Sequence, residues 1–121
     1  MPDDKPRKEY DLEERTFRFA QEVRAFIRRL PRTVANIEDV KQLVRASGSV
    51  GANYIEANEA LGKKDFVMHA KISRKEAKEC RYFLRLVNAD GQNGMEETRS
   101  ALIQEATELM NIFGAIVRKC E

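Results

Sequence analysis

Apolar side chains recur at three- and four-residue steps in four separate stretches of this chain, a spacing that one helical face accommodates and a strand does not. In the first stretch the positions are Leu12, Phe19, Val23, Phe26 or Ile27, and Leu30. Pro31 closes it, because the residue before a proline is driven out of the α region. The second stretch carries Ile37, Val40, Leu43 or Val44, Val50, Tyr54, Ala57 and Leu61. Its start is read at Asn36, whose side chain suits an orphan amide, with Asp39 favouring the positive end of the helix. Within it lies the small-residue run Ala46-Ser47-Gly48-Ser49-Val50-Gly51-Ala52, where each interior glycine costs about 1 kcal/mol against alanine. Such a run can be a loop between two short helices. The apolar period keeps its phase across it, so a continuous helix is expected, with small residues admitting a close neighbour.

Gly62 separates this stretch from a third, whose apolar face reads Phe66, Ala70, Ser73, Ala77, Cys80, Leu84 and Val87. The turn-forming cluster Asp90-Gly91-Gln92-Asn93-Gly94 precedes the fourth, with Leu102, Ala106, Leu109, Phe113 and Ile116. Short links between long helices favour antiparallel neighbours, so the expected fold is all-α, an up-down-up-down four-helix bundle. With 121 residues and 42% apolar side chains the chain has enough material for one core, placed here in a single domain over residues 11–121. Residues 1–10 hold two prolines and mostly polar side chains and are expected to form a disordered tail.

No stretch approaches the roughly 20 apolar residues that span a bilayer, and the N-terminus lacks the apolar core of a secretion signal. A cytoplasmic protein with no membrane partner is expected, with Cys80 and Cys120 as reduced thiols.

A net charge of +2 says little until the charges are placed on the helices. At about 100° per residue, Lys71, Arg74, Lys78, Arg81 and Arg85 fall in one sector of the third helix, while Asp65, Glu76 and Glu79 fall on another. A basic stripe is the footprint of phosphate-backbone binding, and Tyr82 beside it suits stacking on a base. The alternative is a solvated face with incidental sorting. The first helix adds Arg15, Arg18, Arg24, Arg28, Arg29 and Arg32 against Glu22 alone, and the fourth gathers Glu96, Glu97, Glu105 and Glu108. That asymmetry also suits docking of one subunit on another. The candidate nucleic-acid-binding residues are therefore Arg18, Arg24, Arg28, Lys71, Arg74, Lys78, Arg81 and Arg85. A separate buried polar network is expected from Arg45, Asn53, Glu56 and Glu76, with Arg45 the partner that an ionised Glu76 requires.

Catalytic chemistry finds little support. A di-iron bundle needs two Glu-x-x-His pairs, and the only histidine, His69, has Phe66 three residues before it. Asp65 and His69, four apart, form at most a weak metal pair; a packed histidine is the simpler reading. Cys80 falls on the core face and reads as a small hydrophobe. One histidine leaves no Ser/His/Asp or Cys/His arrangement, and the glycines at 48 and 51 follow no strand and form no phosphate loop. No enzyme activity, cofactor or metal is expected.

Beyond single motifs, an ordered series of residues stands out: Glu14-Arg15-Thr16-Phe17, Phe19-Ala20 and Leu30-Pro31 in the first helix; Gln42-Leu43-Val44-Arg45, Gly51-Ala52-Asn53-Tyr54 and Glu56-Ala57 in the second; Lys64-Asp65-Phe66, Lys71-Ile72, Lys75-Glu76-Ala77, Glu79, Arg81-Tyr82 and Leu84-Arg85-Leu86 around the third; Glu108-Leu109 in the fourth. In this order and spacing the segment from about Glu14 to Lys119 resembles the four-helix bundle family encoded by intervening sequences inside bacterial 23S ribosomal RNA genes. Gly62 departs from the serine many relatives carry before the third helix, and Phe83 from their tryptophan. The resemblance implies a ring-shaped homopentamer. It also implies kinship with accessory proteins of diversity-generating retroelements, basic pentamers that bind nucleic acid and a reverse transcriptase. It implies no catalysis. The expected function is a homo-oligomer that binds RNA or DNA through basic faces of the first and third helices. The alternative is a protein-interaction or assembly module that binds no nucleic acid.

Overall fold

A computed structural model of the chain describes residues 8–121, with side-chain surroundings from Leu12 onward. Four helices account for most of them: α1 (Lys8–Arg28), α2 (Val34–Asn58), α3 (Lys63–Leu86) and α4 (Met95–Cys120). Each helix packs on its neighbours in sequence, and α4 closes the bundle against α1. The result is the antiparallel four-helix bundle that the short links imply, with α1 and α3 across its diagonal. The helix α1 begins at Lys8, earlier than the expected Asp11; of the expected tail, residues 1–7 lie outside the described residues.

The core is the predicted apolar face of each helix. Phe19, Val23 and Phe26 of α1 meet Leu43, Val50 and Tyr54 of α2, Ala77, Cys80 and Leu84 of α3, and Leu102, Leu109 and Phe113 of α4, all buried. The rings of Tyr54 and Phe113 meet edge-on with centroids 5.6 Å apart, a favoured aromatic geometry. Helix α2 runs unbroken through its small-residue run. The reason is visible at Gly51, where a Cβ would stand 2.8 Å from Thr16 Oγ1: α1 crosses α2 too closely there for any side chain.

Two expectations are corrected at the ends of α2. The N-cap is Thr33, not Asn36: the Thr33 hydroxyl accepts from Asn36 N at 3.1 Å. Asn36 is buried instead, and its Nδ2 donates to Pro31 O (2.9 Å) and Asn88 O (2.8 Å) while its Oδ1 accepts from Asn88 N (2.9 Å). One carboxamide thus ties the α1–α2 link to the α3–α4 link at the same end of the bundle. At the other end Leu61 is not a core residue. The helix stops at Asn58, and Leu61 sits fully exposed in the link to α3.

Gly62 is the N-cap of α3 and offers no side-chain acceptor; Asp65 in the first turn faces the positive end of the helix. Gly94, with φ 78°, takes the left-handed conformation that turns the chain into α4. Near that turn Arg99 of α4 reaches back to α3, where its Nη1 donates to Leu84 O (2.5 Å) and Val87 O (2.8 Å). A cation is thereby fixed on the negative end of α3. Among the described residues no helix is long and apolar enough to cross a membrane.

Candidate nucleic-acid interface

Helix α3 presents three different flanks. Its core face, Ala70, Ser73, Ala77, Cys80 and Leu84, is buried, and Ser73 Oγ donates to Val50 O at 2.8 Å to pin it to α2. On the side toward α2 lie Glu76 and Glu79. Arg45 of α2 spans both of them, with Nη2 3.2 Å from Glu79 Oε1 and Nη1 3.7 Å from Glu76 Oε1. The longer distance is an ion pair without a hydrogen bond, and Glu76 Oε1 is buried with no hydrogen-bond partner. Arg45 therefore supports Glu76 through charge alone. Burial, and after it the nearby Glu76 carboxylate, pushes the Cys80 thiol well above the usual range, so this side chain stays protonated and packs as a hydrophobe.

The expected polar network is narrower than Arg45, Asn53, Glu56 and Glu76. Asn53 joins a different group: its Oδ1 lies 3.1 Å from His69 Nδ1, and its Nδ2 donates to Ser49 O at 3.0 Å. Glu56 is exposed and, among the described residues, its carboxylate joins no ion pair with Arg45 or any other cation. It lies about 200° around α2 from the buried Tyr54, which turns it away from the core. Asp65 Oδ1 is 3.7 Å from His69 Nε2, and among the described residues no group of three or more His, Cys, Asp or Glu side chains comes close enough to hold a metal.

On the flank toward α4 and solvent stand Lys71, Arg74, Lys78, Arg81 and Arg85. The run covers about 21 Å at the helical rise. Lys71 pairs with Glu121 at 3.3 Å. Arg74, Lys78, Arg81 and Arg85 have no acid within ion-pair distance among the described residues. Tyr82 and Leu86 border this row and are exposed, at 57% and 50%.

Sequence reasoning missed one member of the row. Gly114 of α4 opens a gap beside α3. A Cβ there would lie 3.8 Å from Arg74 Cδ and 3.4 Å from Arg118 Nη1, so Arg118, which also lacks an acidic partner, extends the basic surface onto α4. The available signal was the spacing of Gly114 and Arg118, one turn apart on a helix otherwise read as acidic.

The arginines of α1 are dispersed. Arg18 pairs with Glu14 at 3.3 Å. Arg24 folds over the α1/α2 seam, where its Nη1 donates to Ala20 O (3.2 Å) and lies at 3.5 Å from Ser47 Oγ. Arg28 is exposed, on the rim of a cleft of about 510 Å³ with Arg32 and Lys41. Because α1 and α3 are diagonal, the two sets of basic residues do not merge into one surface on this chain. Nor do the α4 acids reach the α3 row. Arg15 lies between Glu105 and Glu108, with Nε 2.7 Å from Glu105 Oε2 and Nη2 2.7 Å from Glu108 Oε1.

The comparisons agree with this architecture. Residues 8–115 match the model of the 23S rRNA-intervening sequence protein family. A crystal structure from Bacteroides thetaiotaomicron VPI-5482, of a protein with unknown function from the S23 ribosomal protein family, superimposes with a TM-score of 0.79 at 25% identity. The match covers 93% of this chain and 99% of that one. No curated protein matches. With the bundle, the residue series and the family match in agreement, the chain belongs to the 23S rRNA-intervening sequence protein family.

Proposed function

We propose that this protein is a non-enzymatic homo-oligomer, most simply the pentamer implied by the family resemblance, that binds RNA or DNA through the basic row of α3. The observation that carries this reading is the row itself: among the described residues Arg74, Lys78, Arg81 and Arg85 hold their charges without acidic partners, while Glu76, Glu79, Glu105 and Glu108 are engaged by other arginines. Arg118 extends that surface, and Arg18, Arg24 and Arg28 of α1, dispersed over other faces, add separate points of contact. The four unpaired cations along α3 meeting phosphates would give a log-log salt slope of about −2.8 on a single strand and about −3.6 on duplex DNA. A reverse transcriptase or other protein partner is the further expectation that the resemblance supplies.

The test is binding to labelled single-stranded RNA and duplex DNA across a salt series, with particle mass from light scattering on the same sample. Steeply salt-dependent binding by an oligomer is the expected result. An intact oligomer that binds neither at low salt overturns the reading.

A second reading, an assembly or protein-docking module without nucleic acid, draws on the seam between α1 and α2. There Phe17 and Ile55, 57% and 48% exposed, border a mostly apolar groove floored by Gly48, Gly51 and Ala52. A protein that binds neither probe, and whose oligomer is lost on reversing the α3 charges, would favour it.

A further inference from the structure

We infer that the α3 surface selects single-stranded over duplex nucleic acid, with Tyr82 as a stacking platform for an unpaired base. This inference rests on the nucleic-acid reading above and adds the class of ligand to it.

The argument starts from a mismatch between chemistry and exposure. A surface that only tracked the phosphates of a duplex would need cations and nothing apolar, because a duplex keeps its base faces covered. The α3 surface instead places two large apolar side chains in solvent beside its cations: Tyr82, 57% exposed, and Leu86, 50% exposed, one helical turn further on. Arg81 and Arg85 immediately precede them in sequence, and Lys78 lies one turn before Tyr82 on the same side of the helix. Phosphate-binding charges and apolar ledge thus run side by side along the helix axis. A single strand matches this arrangement, with its backbone along one track and splayed bases along the other.

Tyr82 is also held in place. Its ring meets Phe83 nearly perpendicularly, with centroids 5.1 Å apart and an interplanar angle of 85°, and Phe83 is itself packed against the core. A ring restrained by a neighbour loses less freedom when a base settles on it than a freely rotating one does. The hydroxyl is not required for stacking, because the π-face supplies the contact.

The experiment uses the full chain with four probes: a uridine-rich RNA, a thymidine-rich DNA, and the duplex form of each, all at one moderate salt concentration. Tyr82→Phe and Tyr82→Ala are compared with the unmodified protein, and a Lys78→Ala/Arg81→Ala double variant reports on the basic row. The unmodified protein should prefer the single strands. Tyr82→Ala should weaken single-strand binding about tenfold or more, while Tyr82→Phe stays within about twofold. Duplex affinity and the salt slope should be unchanged in Tyr82→Ala, since the phosphate contacts remain. Duplex binding also reports that this variant is folded. Equal losses on single strand and duplex, or no loss on either, overturn the inference. If the double variant then still weakens every probe, the basic-row reading survives alone. An unmodified protein that binds no probe overturns both.

Discussion

Along the edge between α1 and α4, Arg15 lies between Glu105 and Glu108, and all three charges are held by partners in the same chain. Across the bundle, on the outer flank of α3, Arg74, Lys78, Arg81 and Arg85 stand in a row with no acid of the described residues within ion-pair distance. Both regions are rich in arginine. The difference lies in which helix happens to be adjacent: α4 turns its glutamates toward α1 and its glycine and Arg118 toward α3. Net charge therefore says little about binding in a bundle. What matters is which charges remain after the helices have satisfied one another.

That contrast can be broken experimentally, and the largest effect is expected from reversing the free row. Arg74→Glu, Lys78→Glu and Arg81→Glu together should reduce nucleic-acid affinity by more than about a hundredfold at low salt. The oligomer and the melting temperature should be kept, because none of the three is part of an internal pair; light scattering and circular dichroism check this. Arg45→Ala tests the opposite flank of α3. It removes the one cation within ion-pair distance of the buried Glu76 carboxylate among the described residues and should lower stability by about 1–2 kcal/mol in urea unfolding, less than for a fully buried pair because Arg45 is half exposed. Binding should be unaffected.

On the α1/α4 edge, Arg15→Ala should cost about 0.5–1 kcal/mol, the scale of a partly exposed pair. Its pH dependence is more informative. The hydrogen bond from Gln104, and after it Arg15, holds the Glu108 carboxyl below the usual glutamate range. This pairing stabilises the fold above the pH where an unfolded-chain glutamate titrates, and the contribution is lost as pH falls through the lowered folded value. Arg15→Ala should accordingly flatten the acid limb of the stability curve, followed by thermal melts from neutral pH downward. The smallest effect is expected from Glu121→Gln, which frees Lys71. Affinity should rise about twofold, with a salt slope steeper by about 0.7–0.9, as one more phosphate contact requires.

Much of this molecule is legible in its sequence. Helical periodicity identified the core faces because burial on a helix obeys a local repeat, and the sorting of charges on α3 followed from the same repeat. Gly51 is a similar case: the small-residue run signalled a close helix crossing, and Thr16 occupies it. The failures share a cause. Asparagine is a good cap, yet Thr33, three residues earlier, does that work, and Asn36 instead bonds to Pro31 nearby and to Asn88, 52 residues away. Leu61 was placed on α2 because the period ran on past Asn58, where the helix ends without a proline or glycine to mark it. Glu56 was recoverable, since its angle from Tyr54 already turned it outward. Arg15's pairing with Glu105, across 90 residues, depends on which helices are adjacent, which no local pattern encodes.

The carboxamide of Asn36 has a consequence for how the chain folds. Separate helical hairpins, α1 with α2 and α3 with α4, would each leave this amide short of partners: Pro31 belongs to the first hairpin, Asn88 to the second. Its hydrogen bonds are complete only when the two hairpins have docked, and in the docked bundle it is shut off from water, where an unmade bond is costly. Half a bundle, with this amide open to water, lacks the two bonds to Asn88 that docking makes, and a docked bundle with Asn88 out of place would bury the amide unsatisfied, which favours all-or-none folding over a partly docked intermediate.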